Sequence, residues 1–199
     1  ITIKNNNGDL YHTWGTGSFD RDKCSQNIVY RKCKDERDLL LDFIEYWSDH
    51  IPDILTGWYS ELFDIPYLVN RIKRIFGKKM VSNLSPWLIV EPKNDSYITN
   101  DQGHHVEKES GTSSYNIKGI TQLDYIDLFK KFTLNTLGQQ ESYKLDHIAN
   151  VVLGEKKLDY SEYGSLHLLY KHDYQKFVEY NVKDVELVDK LEDKLGLID

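Results

Sequence analysis

Between residues 54 and 76 the spacing of apolar residues changes period. "ILTGW" is an apolar run of strand length, and beyond a short loop Ile65, Leu68, Val69, Ile72, Ile75 and Phe76 recur at the spacing of one helix face. Pro66 falls in the first turn of that helix, where a missing N–H costs nothing. A buried strand running through a loop into an amphipathic helix is the signature of α/β architecture.

The flanking segments extend this pattern. "ITIKN", "LYHTWG" and "QNIVYRKC" carry alternating, β-branched and aromatic residues between turn-forming stretches, which predicts a three-stranded meander. "DERDLLLDFIEYWSDHI" then places Leu40, Ile44, Trp47 and Ile51 at helical spacing, with Asp35 as N-cap and Pro52 just beyond the end. Residues 87–118 read as a long β-hairpin with arms "WLIVEP" and "YNIKGI" and a polar tip that projects from the core. "TQLDYIDLF" reads as a further core strand, and "YKLDHIANVVLG" as a helix ended by Gly154. Residues 163–195 read as one or two long helices ending near Gly196.

Composition bounds the class. A chain of 199 residues suffices for one well-buried domain, and 40% hydrophobic with 29% charged residues is ordinary for a globular protein. No apolar run reaches the roughly 18 residues of a membrane span, and the opening segment is a strand and turn without the features of a targeting peptide. A soluble protein with no membrane partner is expected. Only Cys24 and Cys33 are present, without a framework spacing, which suggests free thiols and a cytoplasmic location. The net charge of −7 means that the molecule as a whole does not attract nucleic acid, so any basic patch is local or supplied by other domains. There is no initiating Met, and we expect the chain to be a piece of a longer protein.

Asp64 opens the helix that follows "ILTGW", where it serves either as a cap and dipole partner or as a metal ligand. Tyr180 and Asp184, in "EYNVKDVELVD", stand four apart and so share a helix face. In a phosphodiester-cleaving site a carboxylate ligates a metal and a phenol orients the attacking water; in an amphipathic helix the same pair is a half-buried tyrosine and a solvated aspartate. Trp58, Tyr59 and Phe63 flank Asp64 and offer faces on which single-stranded DNA stacks, or else fill the core, the fate expected of Trp58. The run "RIKRIFGKK" fits the solvated face of an amphipathic helix better than a phosphate site. His104 and His105 lack the further ligand spacing of a zinc site.

Taken together, "ILTGW…FDIPYLVNRIK", "LDYIDLFKKF", "YKLDHIA" and "YNVKDVELV" resemble the proofreading domain of B-family DNA polymerases, especially those of T-even-like phages, along nearly the whole chain. The resemblance implies an RNase H-like (DnaQ-like) α/β fold with a mixed sheet flanked by helices. It implies a 3′→5′ exonuclease domain of a DNA-directed DNA polymerase that uses two Mg²⁺ or Mn²⁺ ions. By that match Asp64 is the second-motif carboxylate near the metals, which caps its helix as well, and Asp184 is the third-motif ligand. Tyr180 positions the nucleophilic water, while Tyr59 and Phe63 meet the DNA. Implied partners are the single-stranded 3′ end of a primer–template, the remaining polymerase domains of the same chain, and replisome proteins. A phage-encoded parent would work in the host cytoplasm. The hairpin has a family counterpart that parts primer from template.

Two departures matter. The family's first motif, an Asp-x-Glu pair on the opening strand, is not found; Asp20 with Asp22, and Asp184 with Glu186, do not replace it. The chain alone is therefore expected to bind metal weakly and to show little or no exonuclease activity. Related polymerases also carry asparagine where this chain has Tyr59, in "GWYSELFD", and we expect a tuned or diminished role there. The alternatives are an RNase H-like DNA-binding or scaffold domain of a polymerase that has lost catalysis, and a stand-alone RNase H-like nuclease.

Overall fold

The structure, a computed structural model, describes residues 1–6, 8–93, 97–99, 105–107 and 114–198, with 97–99 and 105–107 described by their backbone. It is a mixed α/β molecule whose chain divides into two compact units, residues 1–43 with 129–199, and residues 44–128.

In the first unit, β1 (Thr2–Lys4), β2 (Tyr11–Gly15) and β3 (Ile28–Lys32) form one sheet in that order. The β1–β2 pair is antiparallel, but β2 and β3 run parallel, Tyr11 opposite Ile28 and Gly15 opposite Lys32. The expected meander is thus corrected. Antiparallel neighbours need only a tight turn, whereas parallel ones need a longer crossover, and the connection from 16 to 27, with a 3-10 turn at Arg21–Lys23, supplies it. α1 (Glu36–Asp49) follows, and the Asp35 carboxylate accepts from Asp38 N as an N-cap should.

The second unit holds β4 (Ile54–Gly57), α2 (Asp64–Phe76), α3 (Lys78–Val81), β5 (Val90–Pro92), β6 (Tyr97–Thr99), β7 (His105–Glu107), β8 (Tyr115–Ile117) and β9 (Thr121–Asp124). β4 pairs in parallel with β9, β5 antiparallel with β8, and β6 antiparallel with β7. The expected tip of the hairpin falls largely on residues 94–96, 100–104 and 108–113, outside the described residues. β4 is not the buried strand its composition suggests: among the described residues it pairs with β9 alone, and Ile54 is exposed. α2 buries Ile65, Pro66, Val69 and Ile72, close to the face its spacing predicts.

α4 (Tyr125–Phe132) begins directly after β9, so "TQLDYIDLF" is half strand and half helix. The Asp124 carboxylate accepts from Ile126 N, and Tyr125, Ile126 and Phe129 are buried at helical spacing, which ends the strand at Asp124.

The first unit resumes with α5 (Leu134–Leu137), α6 (Leu145–Leu153), α7 (Leu166–His172) and α8 (Tyr174–Leu195). Gly154 and Gly196 close α6 and α8 in the left-handed conformation, φ 74° and 55°, which glycine adopts without a Cβ penalty. Val178 and Val182 of α8 bury against Tyr11 and Ile28 of the sheet, with Phe19, Tyr30, Tyr174, Phe177 and Val185 around them. On another side α8 packs against α6. That packing brings the loop after α6 to the helix that carries Tyr180 and Asp184.

Candidate active site

Tyr180 and Asp184 lie on one face of α8, and Lys157, from the loop after α6, completes the group. Its ammonium donates to Asp184 Oδ2 at 2.8 Å and to the Tyr180 hydroxyl at 3.3 Å, and it sits 5.3 Å from the centre of the Tyr180 ring. Tyr160 packs edge-on against the same ring, with centroids 5.2 Å apart.

Electrostatics follow from this packing. Burial raises the Asp184 pKa above its ordinary value, and the lysine opposes the shift without cancelling it. Burial also disfavours the Lys157 ammonium, but Asp184 and then Tyr180 outweigh it and hold its pKa above normal. The Tyr180 phenol is pushed upward by burial and by Asp184, so it stays protonated at neutral pH.

Asp184 Oδ1 is buried and has no hydrogen-bond partner. An unsatisfied buried carboxylate oxygen is costly, and a hard cation is a group that satisfies it. In this respect Asp184 fits a Mg²⁺ or Mn²⁺ ligand. Among the described residues no group of three or more His, Cys, Asp and Glu is arranged to hold a metal.

Asp64 belongs to the second unit, where it is exposed at the start of α2. The N-cap residue is Phe63, which makes no side-chain capping bond, so Asp64 is the first helical residue and acts on the helix dipole instead of capping it. Phe63 is 66% exposed and stacks on Tyr67 with rings 12° from parallel, so it is not a core residue. Trp58 is half-buried, with its ring 6.2 Å from that of Tyr125. Lys73, Arg74, Lys78 and Lys79 are exposed, Arg71 partly so. His104 lies outside the described residues, and His105 falls in β7.

Tyr59 has φ 67°, in the left-handed region that glycine and asparagine tolerate and tyrosine does not favour. Its side chain is 48% exposed. The conformation is imposed by Asp124, whose two oxygens accept from Tyr59 N at 2.9 Å and Glu61 N at 3.0 Å. Burial raises the Asp124 pKa while these N–H bonds pull it back. Glu61 in turn pairs with Lys93 at 2.8 Å, tying the loop to the end of β5.

Sequence reasoning missed Lys157 and Asp124. Lys157 sits in a lysine pair after a helix-ending glycine, with no periodicity to mark it. A signal for Asp124 did exist: an aspartate between an alternating run and a helical one is a cap.

Comparison with known proteins identifies the family. Residues 11–148 match the family model of the DNA polymerase family B exonuclease domain; Lys157, Tyr180 and Asp184 lie beyond that match. The DNA-directed DNA polymerase of Escherichia phage RB69 is 38% identical over 171 residues, which is 86% of this chain and 17% of the relative. That of Enterobacteria phage T4 is 36% identical over 172 residues, 86% of this chain and 18% of the relative. The DNA polymerase delta catalytic subunit of Plasmodium falciparum is 31% identical over 183 residues, 86% of this chain and 15% of the relative. The chain thus spans less than a fifth of the length of these relatives.

Proposed function

The chain belongs to the exonuclease-domain family of family B DNA polymerases, and from that membership we propose that it is the proofreading domain that hydrolyses DNA from its 3′ end. The fold proposed with it is the RNase H-like one of the family, and the proposed substrate is a single-stranded 3′ end delivered from a primer–template by the remaining domains of a polymerase. The observation that carries the reading is the buried, unpartnered Asp184 Oδ1 beside a protonated phenol and an ammonium.

Asp184 and Asp64 are each proposed as a ligand for Mg²⁺ or Mn²⁺. Such ions, which bind through one or two carboxylates, waters and substrate phosphates, supply an activated water and neutralise charge on the scissile phosphate. The Tyr180 hydroxyl, held by Lys157, stays protonated and orients the attacking water by hydrogen bonding. Lys157 favours the ionised form of Asp184 against the effect of burial and aims its carboxylate. Phe63, exposed beside Asp64, stacks on a terminal base, a contact worth about 1 to 3 kcal/mol. Tyr59 is assigned a weaker, loop-shaping contact with the DNA.

The test is digestion of single-stranded DNA by a full-length polymerase carrying this domain. Asp184→Asn and Asp64→Ala are each expected to lower kcat by about a hundredfold or more, and Tyr180→Phe by about ten- to a hundredfold. Undiminished digestion in Asp64→Ala would remove that residue from the ligand set. Undiminished turnover in Tyr180→Phe would end its water-orienting role.

A further inference from the structure

Lys157 reaches Asp184 from a loop, and a loop by itself does not hold a four-carbon side chain on target. The loop is tied down at several points, all of them in the first unit. The backbone N–H of Lys157 donates to Asp146 Oδ1, in the first turn of α6, at 2.8 Å. Two residues earlier, Glu155 meets two lysines of α8: Lys183 at 2.6 Å through Oε2, and Lys190 at 2.8 Å through Oε1 and 3.0 Å through Oε2. Both lysines also pair with Glu186, at 3.0 and 3.1 Å, and Glu186 accepts from Gln26 Nε2. Lys194, one turn further on, donates to Val152 O near the end of α6.

Lys183, Lys190 and Lys194 follow Tyr180 along α8 at successive spacings of three, seven and four, and Asp184 stands four from Tyr180, so the broad helix face that presents the phenol and carboxylate is also the one that grips the loop. An isolated exposed ion pair does little, but here one carboxylate bridges two cations that a second carboxylate holds in place. The segment is fixed on both sides of Lys156, by Glu155 before it and by the Asp146 bond to Lys157 after it.

We propose that Glu155 is a positioning residue: by bridging Lys183 and Lys190 it sets the register of the loop on α8 and thereby aims Lys157 at Tyr180 and Asp184. Glu155 touches neither of those two groups, and its effect runs through Lys157. The proposal deepens the exonuclease reading, on which only its kinetic readout rests.

The experiment is amine labelling with acetic anhydride, followed residue by residue by mass spectrometry, on a full-length polymerase carrying this domain. Glu155→Ala is compared with Glu155→Gln and with the double variant Lys183→Met/Lys190→Met, which opens the same clasp from the helix side. Lys157 is expected to label about three- to tenfold faster in Glu155→Ala and in the double variant, and less so in Glu155→Gln, which keeps a hydrogen bond. Lys4, paired with Asp189 at 2.5 Å on the β1 side of α8, is the internal reference and is expected to stay constant. In parallel, kcat for single-stranded DNA is expected to fall about threefold or more with KM unchanged, and Glu155→Ala to add nothing in a Lys157→Ala background.

Unchanged labelling of Lys157 while Lys183 and Lys190 become reactive would overturn the proposal. So would a uniform rise at every lysine in every variant, since Glu155 would then be a general stabiliser. A polymerase without exonuclease activity would sink the functional reading, and the labelling would still decide the role of Glu155.

Discussion

Two aspartates with raised pKa values, Asp184 and Asp124, are desolvated in opposite ways. Asp124 is enclosed by backbone: Tyr59, Glu61 and Ile126 donate N–H groups to it, and both oxygens are in use. Asp184 is matched by a side chain: Lys157 holds one oxygen, and the other is buried with no partner. Backbone donors cannot leave without unfolding the loop, so the first arrangement fixes structure. A side-chain cation can be displaced and an open oxygen can be filled, so the second can take part in chemistry. Burial acts similarly on the two groups, and the identity of the donors separates their roles.

The comparison breaks most visibly if the donors are orphaned. Asp124→Ala strands three N–H groups, two of them from a loop that has no ladder to return to. At about 1 to 3 kcal/mol for a buried unsatisfied group, partly relieved by water, we expect a loss of about 3 kcal/mol in urea unfolding. Asp124→Asn, with one acceptor oxygen in place of two, should lose about half of that. A variant as stable as the parent would show that water replaces the carboxylate freely.

Lys157→Met tests the other side. It removes the counterion of Asp184 and leaves a partly buried charge. Breaking a fully buried pair costs about 3 to 5 kcal/mol, and with both side chains near a quarter exposed we expect about 2 kcal/mol. The sign with pH separates this from simple cavity formation. With the lysine gone, the raised pKa of Asp184 rises further, so its folded form binds a proton more tightly than the unfolded chain. The stability deficit is then smallest below the ordinary carboxylate pKa of 3.8 and grows as pH rises through the folded value. A deficit independent of pH would point to packing alone.

The same raised pKa governs metal affinity. A carboxylate ligates only when ionised, so Mn²⁺ affinity at Asp184, taken as the difference between the parent chain and Asp184→Asn in an electron paramagnetic resonance titration, should weaken as pH falls through that pKa. Below it the loss should be about tenfold, or 1.4 kcal/mol, per pH unit, setting in above pH 3.8. Equal affinity in the two proteins at every pH would separate Asp184 from the metal.

How much of this was legible in the sequence depends on how local each signal is. Gly154 and Gly196 end their helices in the left-handed conformation that made them readable as stops, and Tyr180 with Asp184 shares a face because four residues is one turn. Lys157 was invisible because twenty-three residues and a loop separate it from Tyr180, and only the packing of α6 on α8 closes the gap. The parallel pairing of β2 with β3 was lost for a similar reason: residue patterns mark strands, while partner direction is settled by the path of the connection. The oddity of Tyr59 was legible, but its physical content was not.

That content yields the smallest effect and a clean reading of the Asp124 side. Position 59 is held at φ 67° because Asp124 takes both the N–H of residue 59 and that of residue 61, and this backbone shape is required whatever side chain is present. A tyrosine in the left-handed region costs about 1 kcal/mol, and asparagine, which the region tolerates, relieves part of it. Tyr59→Asn should therefore raise stability by about 0.5 to 1 kcal/mol, and Tyr59→Gly by less, because glycine also gains freedom in the unfolded chain. Asparagine above glycine above tyrosine is the order that backbone strain and unfolded-chain entropy together require. If both substitutions destabilise, the half-exposed ring makes contacts worth more than the strain, and Tyr59 is held in place for what it packs against.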